Sequence, residues 1–202
     1  MKILVIGSGG REHAIAWRLS EEGHQVTGAP GNPGIAEVAT VVNTTDYLHI
    51  AESIGADLTV VGPEVPLAAG IVDEFRARGL TIFGPTQSQA RLEASKIHAK
   101  EFMAKTGIPT ARFVRAVSKP DAMEALGGFS FPVVIKADGL AAGKGVIIAP
   151  NRLEAKKAGR DLGTSPVLEE FPTGNMVRPF AARGGPPRAP SRAPPQPQAT
   201  TK

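Results

Sequence analysis

The 202-residue sequence contains no cysteine. This excludes disulfide bonds, thiolate metal sites and a cysteine nucleophile, and it fits a reducing compartment. No apolar run approaches the roughly 20 residues that a membrane-spanning helix needs. The opening Met1–Gly7 predicts a strand that leads into a glycine turn, not a signal peptide. We therefore expect a cytoplasmic protein with no membrane partner.

Aromatic residues are also scarce, with one Trp and one Tyr in the chain. A net charge of +4 is compatible with nucleic acid as a partner, but five positive charges and no acid lie in residues 178–202. Taking those five charges from +4 leaves −1 for the preceding residues. Basic side chains are not interleaved with aromatic ones in that part of the chain. We therefore expect no binding of nucleic acid.

The hydrophobic content of 42% is sufficient for a real core, and the length allows one or two domains. Apolar strand-like runs alternate with helical patterns through the first half of the chain. That alternation predicts an α/β fold with a parallel sheet. Strands are expected at Lys2–Ile6, Gln25–Gly28, Asp57–Val61 and Leu80–Phe83, and helices at Arg11–Glu22 and Leu67–Arg78.

Three glycine-containing turns follow predicted strands, at Gly7–Gly10, Gly62–Glu64 and Gly84–Thr86. Because ligands of parallel sheets bind beyond the carboxyl ends of the strands, these turns are expected at one shared edge. The first turn opens a helix whose N-terminus can hold an anion. A dinucleotide fingerprint fails, since Glu12 stands where a third glycine is needed, and we do not expect NAD. A tight turn without a ligand is the alternative.

The stretch Phe131–Ile148 predicts a strand, a glycine-rich loop and a second strand. Small side chains let backbone N–H groups approach phosphates closely, and Lys136 and Lys144 add positive charge. The loop is not a P-loop, because Gly145 follows Lys144 and no helix begins there. A hairpin with a flexible turn is the alternative.

Residues 87–106 predict a helix in two pieces, the second capped by Ser95. Lys96 then lies in a first turn, which is unfavourable for a cation beside the helix dipole. A surface lysine and a lysine kept for an anionic ligand are equally compatible with that position. Gly107–Thr110 breaks the chain and predicts a domain boundary.

Beyond that boundary, helices are expected at Lys119–Leu126 and Asn151–Gly163, and a strand at Val167–Phe171. Met176–Lys202 consists mostly of Pro, Arg, Ala, Gly and Gln, with almost nothing to bury, so we expect a disordered tail. The predicted organisation is a Rossmann-like domain over residues 1–106, a second unit over 107–175 and a tail over 176–202.

Seven segments occur together and in order, and they resemble phosphoribosylamine–glycine ligases of the ATP-grasp superfamily. They are V-I-G-S-G-G-R-E-H-A (5–14), A-P-G-N-P-G (29–34), V-G-P-E-V-P-L (61–67), F-G-P-T (83–86), L-E-A-S-K (92–96), G-I-P-T-A (107–111) and V-I-K-A-D-G-L-A-A-G-K-G-V (134–146). The resemblance implies that residues 107–175 are part of an ATP-grasp domain. It implies ligation of glycine to 5-phosphoribosylamine with ATP and Mg²⁺ or Mn²⁺.

The resemblance also implies site residues. The implied ATP-binding residues are Lys96, Lys136, Asp138, Gly139, Leu140, Ala141, Ala142, Gly143, Lys144, Gly145, Glu169 and Glu170. The implied substrate-binding residues are Gly7, Ser8, Gly9, Gly10, Gly62, Pro63 and Glu64. The two lysines match those that hold ATP phosphates, the glycine loop matches the one that closes over them, and the two glutamates match the segment beside adenine and ribose.

The resemblance stops after Phe171. The family continues E-E-F-L-x-G-E-E, whereas Asn175 and Met176 stand here in place of the two final acids. The acidic and Asn metal ligands that the family carries further on have no counterpart in this sequence. We therefore expect a truncated or frame-shifted copy that has no metal ligands of its own and little or no activity alone. Another ATP-grasp carboxylate–amine ligase and a non-catalytic fragment that binds nucleotide or sugar phosphate are the alternatives.

Overall fold

A computed structural model of the chain describes residues 1–140, 145–161 and 166–171. The Ala141–Lys144 part of the predicted loop and the predicted tail lie outside the described residues. In the first half, the elements in order are β1 (Lys2–Gly7), α1 (Gly10–Glu21), β2 (Gln25–Pro30), α2 (Pro33–Ala36), β3 (Thr40–Val41), α3 (Tyr47–Ile54), β4 (Leu58–Val61), α4 (Glu64–Ala69), α5 (Ile71–Ala77) and β5 (Ile82–Phe83). The later elements are α6 (Gln87–Ala94), α7 (Lys96–Thr106), β6 (Phe113–Arg115), α8 (Lys119–Ala125), β7 (Val133–Ala137), β8 (Val146–Ala149), α9 (Arg152–Asp161) and β9 (Pro166–Glu170).

The first five strands form one parallel sheet in the order β3-β2-β1-β4-β5. The predicted α/β class with a parallel sheet is therefore confirmed. The central strand β1 is buried from Ile3 to Gly7. Leu4 and Ile6 face a core that includes Phe75, whereas Ile3 and Val5 face a second core. Because side chains alternate along a strand, this division shows that helices cover both faces of the sheet.

Several short elements of this sheet were not predicted. The strand β3 has two residues, and α2 has four, so neither is long enough to show a period. The single helix predicted over 67–78 is wrong: α4 begins earlier, at Glu64, and Gly70 separates it from α5. Gly70 has a φ of 97°, a left-handed conformation that ends α4 and that other residues rarely adopt.

A second sheet, antiparallel, has the order β6-β9-β7-β8. The predicted pair of strands around the glycine loop is confirmed, since β7 and β8 form a hairpin with Lys136 opposite Val146. The first of these strands begins at Val133, two residues later than expected. Pro132 has no N–H to donate to a neighbouring strand. The three-residue β6 was not predicted.

The helical region before the second sheet is divided as predicted. α6 ends at Ala94 and α7 begins at Lys96. The hydroxyl oxygen of Ser95 accepts a hydrogen bond from the His98 N–H at 3.1 Å, which is the geometry of a helix cap. In the described part of the chain, no helix is long and apolar enough to cross a lipid bilayer.

The buried Phe75 supplies a test of the first core. It is 0% exposed, whereas Phe83 at the end of β5 is 70% exposed. Replacing Phe75 with Ala is expected to lower the free energy of unfolding by about 3–5 kcal/mol, because the substitution leaves a cavity. Phe83→Ala is the matched control and should change that free energy by less than about 0.5 kcal/mol. Urea denaturation of both variants measures the difference, and equal effects would contradict the assignment of the core.

Candidate functional site

The turns after β1 and β4 meet at the carboxyl edge of the parallel sheet. The Gly62 N–H donates to the Ile6 carbonyl at 3.0 Å. Gly7 has a φ of 131°, and a Cβ added there would lie 2.9 Å from Cδ of Pro63. Arg11 Nη2 donates to Glu64 Oε2 at 3.3 Å, which joins the two turns at the surface. The structure thus brings Gly7–Gly10 and Gly62–Glu64 together, as their positions after parallel strands predicted.

Glu12 is the residue that holds these turns in place. Its side chain is 4% exposed, and its Oε2 accepts a hydrogen bond from the Gly9 N–H at 2.6 Å. A Cβ added to Gly62 would lie 2.0 Å from Glu12 Oε1. The carboxylate therefore occupies the space that a side chain at Gly62 would need. Glu12 stands where the dinucleotide motif has its third glycine, and the structure shows that it closes the turn instead.

Glu12 was not among the candidate site residues predicted from the sequence. A signal was present, because a Glu three residues after a helix cap is the second half of a capping box. Gly9 is the cap residue here, and it has no side chain to complete the box. In the sequence, therefore, only the glutamate of this capping box could be recognised.

A third segment, Ala29–Gly34, lies beside the first turn. The side-chain amide of Asn32 donates to the Ser8 carbonyl at 2.9 Å, and its oxygen accepts from the Ile35 N–H at 2.8 Å. Asn32 thus caps α2 and fixes the backbone of Ser8 with the same side chain. Ser8, Gly9 and Gly10 themselves are exposed. An exposed, glycine-rich helix N-terminus can accept an anion at its backbone N–H groups.

The second candidate region is where α7 meets the β7–β8 hairpin. Lys96 Nζ donates to the Gly139 carbonyl at 2.7 Å. The Asp138 carboxylate accepts from the Ser95 hydroxyl and from the Ile97 N–H, each at 3.2 Å. An acid at a helix N-terminus is favourable for the helix dipole, and Asp138 offsets the unfavourable position of Lys96. The Lys96 ammonium is partly buried against the hairpin loop, so Lys96 is not a freely exposed surface lysine. The alternative that Lys96 holds an anionic ligand stays a prediction.

Lys136 lies in β7, three residues before Gly139, and its ammonium contacts a carboxylate of the neighbouring strand. Lys136 Nζ lies 2.9 Å from Glu169 Oε2. Lys100 Nζ, from α7, lies 2.9 Å from the same oxygen. The Glu169 side chain is 5% exposed and that of Lys100 is 9% exposed. Lys100 was not among the predicted site residues, because it lies outside the segments that carry the resemblance.

Glu169 and Glu170, which the resemblance assigns to the segment beside adenine and ribose, lie on opposite faces of β9. Glu169 is buried between two lysines, whereas Glu170 is exposed and its Oε1 lies 3.6 Å from Arg112 Nη1. Alternation along a strand requires this separation. Of the remaining predicted loop residues, Leu140 is 40% exposed and Gly145 is buried, and residues 141–144 lie outside the described part.

The described residues contain no group of three His, Asp or Glu side chains that could hold a metal ion. The acids at the two candidate regions already have partners of other kinds. Glu12 accepts a backbone N–H, Asp138 caps α7, and Glu169 pairs with lysines. These regions are therefore suited to anions and backbone contacts.

The contact between Glu12 and Gly62 can be tested by substitution. We expect Gly62→Ala to lower the free energy of unfolding by about 1–3 kcal/mol, because the new methyl group collides with the buried carboxylate. Gly10→Ala is the control in the neighbouring turn, since a Cβ there meets nothing within 4 Å. Thermal unfolding followed by circular dichroism measures both. If Gly62→Ala were as stable as Gly10→Ala, Glu12 would not occupy the position described.

Two family models match consecutive parts of the chain. Residues 1–93 match the N domain of phosphoribosylglycinamide synthetase, and residues 94–174 match its ATP-grasp (A) domain. A phosphoribosylamine–glycine ligase of Xylella fastidiosa is 49% identical over 189 residues, covering 85% of this chain and 43% of the relative. The corresponding ligase of Leifsonia xyli is 47% identical, covering 92% of this chain and 47% of the relative. The chain thus spans less than half the length of these relatives.

Solved structures agree with the sequence comparison. The crystal structure of phosphoribosylamine–glycine ligase from Thermotoga maritima has a TM-score of 0.73 and 35% identity, covering 88% of this chain and 45% of its own. N5-carboxyaminoimidazole ribonucleotide synthetase from the same organism has a TM-score of 0.65 and 26% identity, covering 84% of this chain and 46% of its own. With both family models matched in order and the fold shared, the chain belongs to the phosphoribosylamine–glycine ligase family, whose N-terminal part it represents.

Proposed function

We propose that this chain provides part of the site at which glycine is joined to 5-phosphoribosylamine at the expense of ATP, giving glycinamide ribonucleotide, ADP and phosphate in purine biosynthesis. The observation that carries the proposal is the arrangement of Lys96 and Lys136. The first contacts the hairpin loop at Gly139, and the second lies on the strand leading into that loop. Two cations at one glycine-containing hairpin suit the polyphosphate of a nucleotide.

On the ATP side, each residue is assigned the role that the family resemblance implies for it. Lys96 and Lys136 contact the phosphates as charged donors. The resemblance implies that Asp138–Gly145 belongs to the loop that covers the phosphates, and Asp138 connects the start of this segment to α7. Glu169 and Glu170 lie at the end of β9, and the resemblance implies that this segment lies beside adenine and ribose. The backbone N–H groups of the loop add donors that need no charge of their own.

On the other side, the turns at the edge of the parallel sheet suit the sugar phosphate. The N-terminus of α1, exposed at Ser8–Gly10, provides backbone donors for the phosphate group. The turn Gly62–Glu64 lies against it, and the exposed side of Glu64 is available to a hydroxyl or amine. Glu12 takes no part in binding in this proposal, because its carboxylate is buried under the turn.

The chemistry requires that several anions be held together. ATP first phosphorylates the glycine carboxylate, and the amine of phosphoribosylamine then displaces phosphate from the acyl phosphate. Positive side chains and N–H donors lower the repulsion between these groups. Mg²⁺ bound to ATP would supply further charge neutralisation, but the described residues offer no cluster to hold it. The contribution of this chain is therefore to bind and orient the nucleotide and the sugar phosphate.

We further propose that this polypeptide by itself binds ATP with little or no ligase turnover. Asn175 and Met176 stand where the family pattern has two acids. The described residues hold no carboxylate cluster for a metal, so they do not by themselves neutralise the charge on the transferred phosphoryl group. This favours the second candidate function, a nucleotide-binding unit without catalysis of its own. Turnover within a few-fold of a full-length relative would overturn the proposal that this polypeptide has little or no activity. A preference for other carboxylate and amine substrates would overturn the assignment to glycine and phosphoribosylamine.

The ATP site can be tested by calorimetric titration of the whole chain. We expect Lys96→Met and Lys136→Met each to weaken ATP binding by about tenfold or more, because each removes a charged donor to a phosphate. Lys105→Met is the matched control, since Lys105 is exposed at the far end of α7. Unchanged affinity in both test variants, or an equal loss in the control, would contradict the proposed site. ADP release measured in the same samples separates binding from turnover.

A further inference from the structure

One buried carboxylate in the described structure is shared by two ammonium groups. Glu169 Oε2 lies 2.9 Å from both Lys100 Nζ and Lys136 Nζ. Its other oxygen, Oε1, is buried and has no hydrogen-bond partner among the described residues. A single lysine would be enough to neutralise one carboxylate. The second lysine therefore needs its own explanation.

The two lysines are held very differently. Lys100 is buried, and its ammonium also donates to the Thr110 hydroxyl at 2.7 Å. The same ammonium lies 5.8 Å from the centre of the Phe113 ring, a cation–π distance. The Lys136 side chain is 27% exposed, and its described polar contact is Glu169 alone. Lys100 is thus the fixed member of the pair, and Lys136 is the one that can move.

The strand register explains why Lys100 stays with Glu169. Phe113 of β6 is directly opposite Glu169 in the antiparallel pair, so the ring and the carboxylate belong to adjacent strands at the same level. Lys100 lies one helical turn after Lys96 on α7, and residues four apart share a helix face. The helix therefore presents one lysine to the hairpin loop and the next to the buried carboxylate.

Charge balance decides what happens when Lys136 turns toward an anion. If Lys136 were the only partner of Glu169, its departure would leave a buried carboxylate without a counter-ion, which is strongly unfavourable. With Lys100 in place, the carboxylate stays paired. We infer that Lys100 is the permanent counter-ion of Glu169 and a positioning residue that releases the Lys136 ammonium for a polyphosphate. This inference rests on the proposed nucleotide site.

The test is a double-mutant cycle in the full chain, with tripolyphosphate and adenosine as separate probes in calorimetric titrations. Lys100→Met is expected to weaken tripolyphosphate binding by about tenfold, because Lys136 is then needed by Glu169. Adenosine affinity should be unchanged in this variant. Lys100→Arg keeps the charge and should restore most of the affinity. Lys105→Met, on the same helix, should bind like the wild type.

The Glu169→Gln background distinguishes two ways in which Lys100 could favour tripolyphosphate binding. Lys100 could free the Lys136 ammonium from Glu169, or it could attract the anion directly through its own charge. A neutral side chain at position 169 does not retain Lys136, so adding Lys100→Met to Glu169→Gln should cost less than about twofold in tripolyphosphate affinity. If Lys100 acted only through its charge, the tenfold loss would persist in this background, and the inference would be wrong. Circular dichroism of each variant identifies any that fails to fold, and the Arg variant then decides the outcome.

A measurement without ligand separates this inference from the proposed function. Acetylation of Lys136 by a succinimidyl ester, followed by mass spectrometry, requires that the amine leave Glu169. The labelling rate of Lys136 should fall several-fold in Lys100→Met and rise in Glu169→Gln, relative to Lys105 as an internal reference. A wild-type chain that binds neither probe would refute the nucleotide site, whereas unchanged labelling rates would refute the role of Lys100.

Discussion

The pairing of the buried Glu169 carboxylate with two lysines is the interaction on which the second half of the described structure depends. It connects α7, β7 and β9 through Lys100 and Lys136, with β6 placing an aromatic ring beside the same ammonium. Burial of a charge is tolerated only where it is paired and hydrogen-bonded. Helix and sheet must therefore pack so that both lysines reach one oxygen, and this places the hairpin loop against the first turn of α7.

The first half depends on a different constraint, the close approach of two turns around Glu12. Parallel strands end at one edge of a sheet, and the turns after β1 and β4 are brought together there by topology. Gly62 has no side chain, and the Glu12 carboxylate fills that space. Glu12, whose presence is incompatible with the dinucleotide motif, is thus the residue that fixes the shape of the turn. The glycine-rich turn can remain exposed because the buried Glu12 side chain supports it from the inside.

Sequence patterns were informative where elements are long or carry a distinct cap. The sequence predicted the parallel strands β1 and β4, the break between α6 and α7 at Ser95, and the β7–β8 hairpin. These elements were predictable because burial and helix capping leave a local pattern in the sequence. Short elements such as β3 and β6 were missed, since two or three residues cannot show a period. The Gly70 interruption was missed as well. The domain boundaries, the roles of the predicted site residues and the predicted tail stay predictions.

The sequence by itself determined the α/β class, the family and the types of residue that the chemistry requires, because ordered motifs and strand periodicity are properties of the chain alone. Only the tertiary structure decided which charges meet. No motif marks Lys100, and Glu12 could be recognised only as the acidic half of a capping box. Glu169 and Glu170 look equivalent in the sequence. Their roles depend on burial and on contacts between segments distant in the chain, such as Lys100 with Glu169. Electrostatic energy depends on distance and solvent exposure, and both are set by packing.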